Sequence, residues 1–548
     1  MKHLSALEGR VLMALAVLVS AIGLLLGGRF VAQAWPFTVD DTYITLRYAR
    51  NMAEGIGPTF NMNPPRAEGY TSFLHMLLAV IPHALGMDAV LFVKLLGVVC
   101  TLGAVVITWM LAWRLCDSVG PPIRGFAAGS AVFLLAAFYA TAVHAVSGME
   151  TSLAMLLLGA FVLAAIPGER AGRLACWRPF ALALLGLLLG LTRPEANAVV
   201  PIVLLWRWYS VGKGRRARFG WASLLLYVVP GAAYFAWRWH YYGLFLPIPY
   251  YAKVFHQQFG VGAGTTLEFL KFLLIRCGLP VGLALLALRR RLMEVFVIAA
   301  VWTLLGVLPS PVMDFEWRYC FPAFPLWCAA GAYGFAALLQ RVSSSRKRRP
   351  LAPIAVCLLL VLYLGLQWAW FLKPARATML ERRAYGNSLK NAHIEFGRLL
   401  SVFRETQPSI PLLAIGDAGS VPYYTHWEVI DIAGLNDPVI GAEGRRNPEA
   451  VLSRHPDLVV LASQRADRFI PNAWFPWETE LYEAVRRAGM RRLGLVPFSA
   501  GSSLWVMGIP NSPIGLYMRQ LVERRKAEQR QEGQKTAAGS QNSVARGH

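Results

Sequence analysis

Two adjacent carboxylates, Asp40 and Asp41, open the string Val39-Asp40-Asp41-Thr42-Tyr43-Ile44-Thr45-Leu46-Arg47-Tyr48-Ala49-Arg50, and two further acids, Glu68 and Glu150, flank other apolar runs. A carboxylate so placed can take a proton from a hydroxyl as a general base. The adjacent pair could also hold a divalent ion, for which a lone acidic pair is a weak ligand set. Three cations, Arg193, Lys253 and Arg318, stand in separate turns between apolar runs, where they can stabilise an anion that gains charge in a transition state. Each residue also has a plainer reading. One aspartate would serve as a helix cap, Glu68 would pair with Arg66 or Arg47, and Arg193 would snorkel to the surface. Arg318 would pair with Asp314 or Glu316, and Lys253 would be a loop lysine. No HExxH, GKS phosphate loop or GxSxG elbow occurs, and the ten histidines lack paired ligand spacing. His144 reads as a hydrogen-bonded residue of a helix bundle.

The elements that must hold these groups are set by composition. With 548 residues, 56% hydrophobic and 16% charged, and a mean hydropathy of +0.45, the chain has too little polar surface for a soluble globule. The formal charge of +23 sits in short loops between apolar runs, which is a topology signal and excludes a nucleic-acid partner. The seven cysteines lie in or beside apolar segments without CxxC spacing, so no disulfide framework is expected. A signal-like start ends in Ala32-Gln33-Ala34, but the run from Val11 is long for a secretory signal.

Near-spanning apolar stretches cover 11–31, 90–113, 125–146, 151–166, 179–192, 195–209, 219–240, 267–288, 292–310, 320–340 and 351–371, about eleven helices in all. Phe73 to Leu85, broken by Pro82, is too short to cross and reads as interfacial. Leaving it out puts the basic loops together on one side: Arg114 and Arg124; Arg170, Arg173 and Arg178; Arg207 to Arg218; Arg289 to Arg291; Arg341 and Arg346 to Arg349. That side is the cytoplasm, with the N-terminus, and the first outer loop (32–89), Glu150, Arg193, Lys253 and Arg318 lie opposite.

From residue 372 the pattern changes. Strand-like runs at 411–416, 457–462 and 504–508 alternate with helical patterns near 385–404, 447–454 and 478–488, which predicts an α/β domain with a largely parallel sheet over 372–515. Gly416-Asp417-Ala418-Gly419 reads as a turn. Residues 516–548, polar especially after Glu523, form an expected disordered tail. In the first outer loop, Ile44, Tyr48 and Met52 line one face of a helix and Arg47, Asn51 and Glu54 the other, the pattern of a helix lying on the membrane surface.

Asp-Asp-Thr-Tyr-Ile-Thr-Leu-Arg-Tyr-Ala-Arg-Asn, followed by Glu68-Gly69-Tyr70-Thr71-Ser72, resembles membrane glycosyltransferases of the GT-C class, nearest to relatives of the mycobacterial terminal arabinofuranosyltransferase. The similarity continues through Ser147-Gly148-Met149-Glu150-Thr151, Leu191-Thr192-Arg193-Pro194-Glu195, Tyr241-Tyr242-Gly243, Leu246-Pro247, Tyr250-Tyr251-Ala252-Lys253 and Gly434-Leu435-Asn436-Asp437. Leu246-Pro247-Ile248-Pro249 stands where relatives tend to have Leu-Pro-Asn-Thr, and Val312-Met313-Asp314 where they have Gly-Gly-Asp, so acceptor and sugar stay open.

The resemblance implies an all-α polytopic membrane protein of GT-C type, with residues 1–371 as catalytic domain and the C-terminal α/β domain outside a bacterial inner membrane. It implies a polyprenyl-phosphate sugar as donor, with a pentofuranose such as arabinofuranose as one candidate sugar, and a glycan, lipid or protein of the cell envelope as acceptor. An acid of the first outer loop, Asp41 or Asp40, would be the base, with Glu68 and Glu150 as further acidic candidates. Arg193, Lys253 and Arg318 would meet the donor phosphate, and Tyr43, Arg47, Tyr70, Tyr250 and Tyr251 would contact substrate. The rival class is a transporter or flippase of a lipid-linked sugar. Against it, no internal repeat is visible, and the charges gather at span ends, away from the midplane.

Overall fold

A computed structural model describes residues 4–166, 176–256, 260–345, 351–472, 475–499 and 502–524. The chain divides into one compact unit of residues 1–60 and 68–387 and a second of residues 61–67 and 388–548.

The first unit is helical: α1 (Ala6–Ala34), α2 (Asp40–Ala53), α3 (Phe73–Ala84), α4 (Ala89–Leu115), α5 (Pro121–Ala136), α6 (Tyr139–Val146), α7 (Thr151–Ala165), α8 (Arg178–Thr192), α9 (Val200–Ser210), α10 (Lys213–Ser223), α11 (Val229–Tyr242), the single turn α12 (Ile248–Tyr250), α13 (Ala263–Leu285), α14 (Arg290–Leu305), α15 (Phe324–Ser344) and α16 (Ala352–Leu389). The helix starts are written locally. Ser5 and Glu8 form a capping box, and Asp88 accepts from the Leu91 N–H at 3.0 Å. Side chains such as Leu25 on α1, Val99 on α4 and Leu362 on α16 face outward, as lipid-facing residues do, whereas α15 is central, with Phe324, Leu326 and Phe335 fully buried. Gly23 and Gly27 let α1 approach α5: a Cβ there would stand 2.8 Å from the Phe133 Cα and 2.5 Å from the Ala136 carbonyl oxygen.

The protein is a membrane-embedded, multi-pass chain. Among the described residues five helices are long and apolar enough to cross a bilayer, and the α5–α6 pair, bent by 61°, would make a sixth. Helices stand at the other expected spans too, but α7 and α8 have 15 residues each and α9 has 11, short of the roughly 20 a perpendicular crossing needs. The stretch 125–146 is broken at Ala137–Phe138 where one continuous span is expected. Arg170, Arg173 and Arg346 to Arg349 lie outside the described residues.

The amphipathic reading of α2 needs correction. Only Glu54 of its charged face is exposed, because residues 56–60 fold back over Arg47 and Asn51. Arg47 donates through Nε to the Phe60 carbonyl at 2.7 Å, and Asn51 donates to the Thr59 carbonyl at 2.8 Å; both residues are buried. Desolvated donors of this kind need carbonyl partners, and the returning loop supplies them.

The second unit holds a five-stranded sheet of β1 (Leu412–Ile415), β2 (Glu428–Asp431), β3 (Leu458–Ser463), β4 (Arg491–Ser499) and β5 (Ser502–Gly508), in the order β2-β1-β3-β5-β4. The β2-β1-β3 part is parallel as expected, while β3-β5 and β5-β4 are antiparallel, so the sheet is mixed. Helices α17 (Glu395–Glu405), α18 (Ser420–Thr425), α19 (Pro448–Leu452) and α20 (Glu478–Arg487) accompany it. Asn61 joins this unit through paired bonds with Val429, at 2.8 and 3.0 Å. The Gly434-Leu435-Asn436-Asp437 patch is a loop organiser here: buried Asp431 accepts from the Gly434 and Asn436 backbones, and Asp437 caps the following turn and pairs with Arg454 at 2.6 Å. The Gly416–Gly419 segment is a turn closed by the Ala418 N–H on the Gly416 carbonyl at 3.1 Å. Residues 513–524 are helical, where a disordered tail is expected from 516, and the rest of the tail lies outside the described residues.

Candidate active site

The approach to α2 is fixed before its carboxylates appear. Buried Lys94 of α4 donates to the Phe37 carbonyl at 2.9 Å and to the Thr38 hydroxyl at 3.1 Å. The Val39 N–H and the Thr42 hydroxyl then both donate to the Ser147 carbonyl, at 3.2 and 2.9 Å. Gly148, at φ +80°, permits that approach, since a Cβ would lie 2.6 Å from the Thr42 methyl. The start of α2 is thereby locked to the turn that ends in Glu150.

Val39, not an aspartate, occupies the cap position, which corrects the capping reading of the acidic pair. Asp40 and Asp41 are the first two helical residues, where the helix dipole favours their charge. Asp40 is buried, and its N–H donates to the Tyr385 hydroxyl at 3.4 Å. Asp41 is half-buried and near enough to Arg318 for its charge to favour the guanidinium.

Arg193 ends α8 in an extended conformation because Pro194 disfavours helical geometry at the residue before it. It does not snorkel. Buried, it donates through Nη1 to Glu150 at 2.7 Å and through Nη2 to Glu195 at 3.2 Å. Arg318 follows a strained loop in which Met313, Glu316 and Trp317 all have positive φ. Its expected partners are otherwise engaged. Glu316 accepts from Arg382 at 3.0 and 3.1 Å, and Asp314 accepts the Tyr319 N–H at 3.1 Å. Instead Arg318 Nη2 stands 3.9 Å from Glu150, and its Nε and Nη1 are buried without a hydrogen-bond partner. Both guanidinium groups lie over the Tyr319 ring, at 5.0 and 5.1 Å.

Electrostatics follow from these positions. Burial alone would raise the Glu150 carboxyl, but Arg318 and Arg193 outweigh it and hold the group down at about 2. Burial pushes Asp314 up to about 6, against the Tyr319 N–H and the same two arginines. His144 is a bundle residue as expected, its Nε2 bonded to the Glu316 carbonyl at 3.0 Å.

Glu68 belongs to a second cluster. Arg47 is committed to the Phe60 carbonyl instead. Arg238, within the stretch expected as a span, grips Glu68 through Nε at 2.9 Å and again through Nη2. Burial raises the Glu68 carboxyl despite that partner. The pair lines a cavity of about 580 Å³ with Tyr234, Tyr250, Asn197 and Leu191, backing onto the turn that carries Arg193. Tyr70 is buried against the Tyr242 hydroxyl at 3.0 Å, and Tyr43 is buried as well. Tyr251 packs on Phe255 at 5.6 Å, and Lys253 is buried without a hydrogen bond or ion pair among the described residues.

The structure therefore brings Asp41, Glu150, Arg193 and Arg318 together, keeps Glu68 and Tyr250 at the adjoining cavity, and buries Tyr43, Arg47 and Tyr70. Sequence reasoning missed Glu195, Arg238, Asp314 and Tyr319 as members. Arg238 carried a usable signal, an ionisable residue inside an apolar stretch. Among the described residues no group of three or more His, Cys, Asp or Glu is placed to hold a metal ion.

Comparison with solved structures bears on the whole chain. ArnT from Cupriavidus metallidurans bound to undecaprenyl phosphate superposes with a TM-score of 0.54 at 14% identity, covering 90% of this chain and 98% of that one. The apo state of the same protein gives 0.56 at 13% identity, covering 89% and 97%. The fold is of the GT-C type. The archaeal oligosaccharyltransferase AglB from Archaeoglobus fulgidus, in complex with an inhibitory peptide and a dolichol-phosphate, gives 0.46 at 11% identity over 81% of this chain and 69% of that one. Residues 385–503 match a family described as Domain of unknown function (DUF8728), and no curated protein matches in sequence.

Proposed function

We propose that this protein is a membrane glycosyltransferase that moves a sugar from a polyprenyl-phosphate donor to a glycan, lipid or protein acceptor on the non-cytoplasmic face of a bacterial inner membrane. The observation that carries the reading is Arg318, whose Nε and Nη1 are buried and unpartnered beside Asp41 and Glu150. A buried guanidinium with donors to spare is suited to a phosphate that gains charge as its bond to the sugar breaks. The same fold is seen in ArnT with undecaprenyl phosphate bound.

In this mechanism Asp41 accepts the proton of the acceptor hydroxyl while that oxygen bonds to the anomeric carbon. The bond from that carbon to the phosphate oxygen breaks, and the lipid phosphate leaves with the electron pair. Arg318 meets the departing charge. Arg193, already bonded to Glu150 and Glu195, contributes mainly by fixing Glu150 and thereby Arg318. The cavity at Glu68, Arg238 and Tyr250 receives the part of the donor next to the phosphate, and a divalent ion, if one is used, would sit at Asp40 and Asp41. The resemblance of the Asp40–Asn51 string to arabinofuranosyltransferase relatives favours a pentofuranose. Residues 372–515 serve recognition or support, since the proposed base and phosphate cations all precede them.

The test is transfer itself. Purified protein in nanodiscs, given radiolabelled polyprenyl-phosphate sugars and envelope acceptors, should convert label from the lipid to the acceptor fraction. Movement of intact lipid-linked sugar across a vesicle bilayer without release of lipid phosphate would refute the transferase reading.

A further inference from the structure

A second charged cavity, of about 720 Å³, opens at the far end of α8 from Arg193. The 15 residues of that helix put about 22 Å between the two places. Arg178, Arg207, Arg215 and Arg218 line it, no carboxylate among the described residues does, and most of the remaining wall is apolar, including Trp177, Leu182 and Phe219.

The arginines are not used up by protein partners. Arg207 is 8% exposed; its Nη2 meets Glu294, but its Nε is buried with no partner. Glu294 also faces Arg290 at 3.6 Å, so a single carboxylate serves two guanidinium groups. Arg178 donates through Nε to the Ala164 carbonyl at 2.7 Å, and its Nη2 is buried and unpartnered. Arg218 rests over the Phe180 ring at 5.4 Å.

A preference for cations at one membrane face accounts for basic loops, whose charges stand in water. It does not account for Arg178 and Arg207, which line a half-enclosed cavity and each keep a buried guanidinium nitrogen without an acceptor. Four like charges in a half-enclosed site repel one another unless an anion joins them, and forked guanidinium donors match the oxygens of a phosphate. The apolar wall suits the glycerol and first acyl carbons beneath such a headgroup, and basic pockets between membrane helices take anionic lipids in this way. We propose that the cavity between α8, α9 and α10 binds the phosphate headgroup of an anionic membrane lipid, at a site separate from the Asp41 cluster.

The experiment uses the full-length protein in detergent with fluorescent phosphatidylglycerol, phosphatidylcholine and inorganic phosphate as probes. Arg215 and Arg218 are exposed, so the double variant R215Q/R218Q should fold, checked by an unchanged Tm without lipid. It is expected to bind phosphatidylglycerol about 10-fold or more weakly than the wild type, the scale of losing two charge-assisted contacts, while R341Q, outside the cavity, binds as the wild type does. Equal phosphatidylglycerol affinity in wild type and R215Q/R218Q would overturn the proposal, as would an equal loss in R341Q or equal wild-type affinity for phosphatidylcholine. Displacement of the lipid by millimolar inorganic phosphate would overturn the lipid as ligand in favour of a soluble anion.

Discussion

Arg193 closes to 2.7 Å on the same Glu150 oxygen from which Arg318 stands 3.9 Å away. One carboxylate therefore holds two guanidinium groups, one by a hydrogen bond and the other by charge alone. The arrangement leaves Arg318 the less committed of the two, and it makes Glu150 the residue on which the cluster's geometry depends.

Removing that carboxylate charge should be costly. Glu150→Gln leaves two buried cations facing each other, and breaking a buried pair costs about 3–5 kcal/mol. The folded-state value near 2 lies below the ordinary 4.5, so the stabilisation is fully present above about 4.5 and is lost as pH falls toward 2. Thermal unfolding of both proteins in detergent should show a gap that is constant above pH 5 and narrows below pH 4. A gap independent of pH would contradict the ion-pair account.

Asp314 should behave in the opposite sense. Burial raises it from 3.8 to about 6, so protonation favours the fold: its contribution is full below 3.8 and is lost as pH rises through 6, worth roughly 3 kcal/mol at most. Asp314→Asn should remove that pH-dependent loss between 4 and 6. Parallel stability profiles for the two proteins over this range would disprove the burial argument.

Arg318 and Arg193 should separate in donor binding. Arg318→Ala is expected to weaken affinity for a polyprenyl-phosphate sugar by roughly 10- to 100-fold, the worth of charged hydrogen bonds, with Lys restoring part of it. Arg193→Ala should lower stability as well as affinity, since it unpairs Glu150 and Glu195. Donor titrations by tryptophan quenching read this directly, and unchanged affinity in Arg318→Ala would remove it from the phosphate site.

Much of this was legible in advance. Helix positions followed from apolar runs, and the shortness of α3 followed from the length of its apolar run. Asp41, Glu150, Arg193 and Arg318 were identifiable because charges at the ends of apolar runs are few. What stayed hidden was partner choice. Glu68 pairs with Arg238, about 170 residues away in sequence, and Arg47 with a loop carbonyl, because returning backbone decides which donors are desolvated. The antiparallel β4 was hidden for another reason. Arg491 and Arg492 open it, and Pro497 and a register shift interrupt it, so no clean alternation marks the strand.

Orientation can be read with single cysteines. By the charge rule, the basic segment around Arg215 and Arg216 predicts Gly214 in the cytoplasm and the opposite loop outside. Gly262 is a poor probe position, since a Cβ there would stand 2.4 Å from the Pro309 carbonyl oxygen, whereas Gly214 and Gly264 have open space. Gly264→Cys should react with an impermeant thiol reagent in intact cells and Gly214→Cys should not. The reverse pattern would invert the assignment of faces.

The central claim is that Asp41 removes the acceptor proton, and the most direct measurement is turnover together with donor affinity for Asp41→Asn, with Asp40→Asn beside it. Asn is close in size and cannot take the proton, so Asp41→Asn should keep donor affinity while turnover falls by roughly 100-fold or more. A role in holding a divalent ion would instead make the loss depend on the concentration of that ion. Wild-type turnover in both variants would contradict the mechanism at its centre.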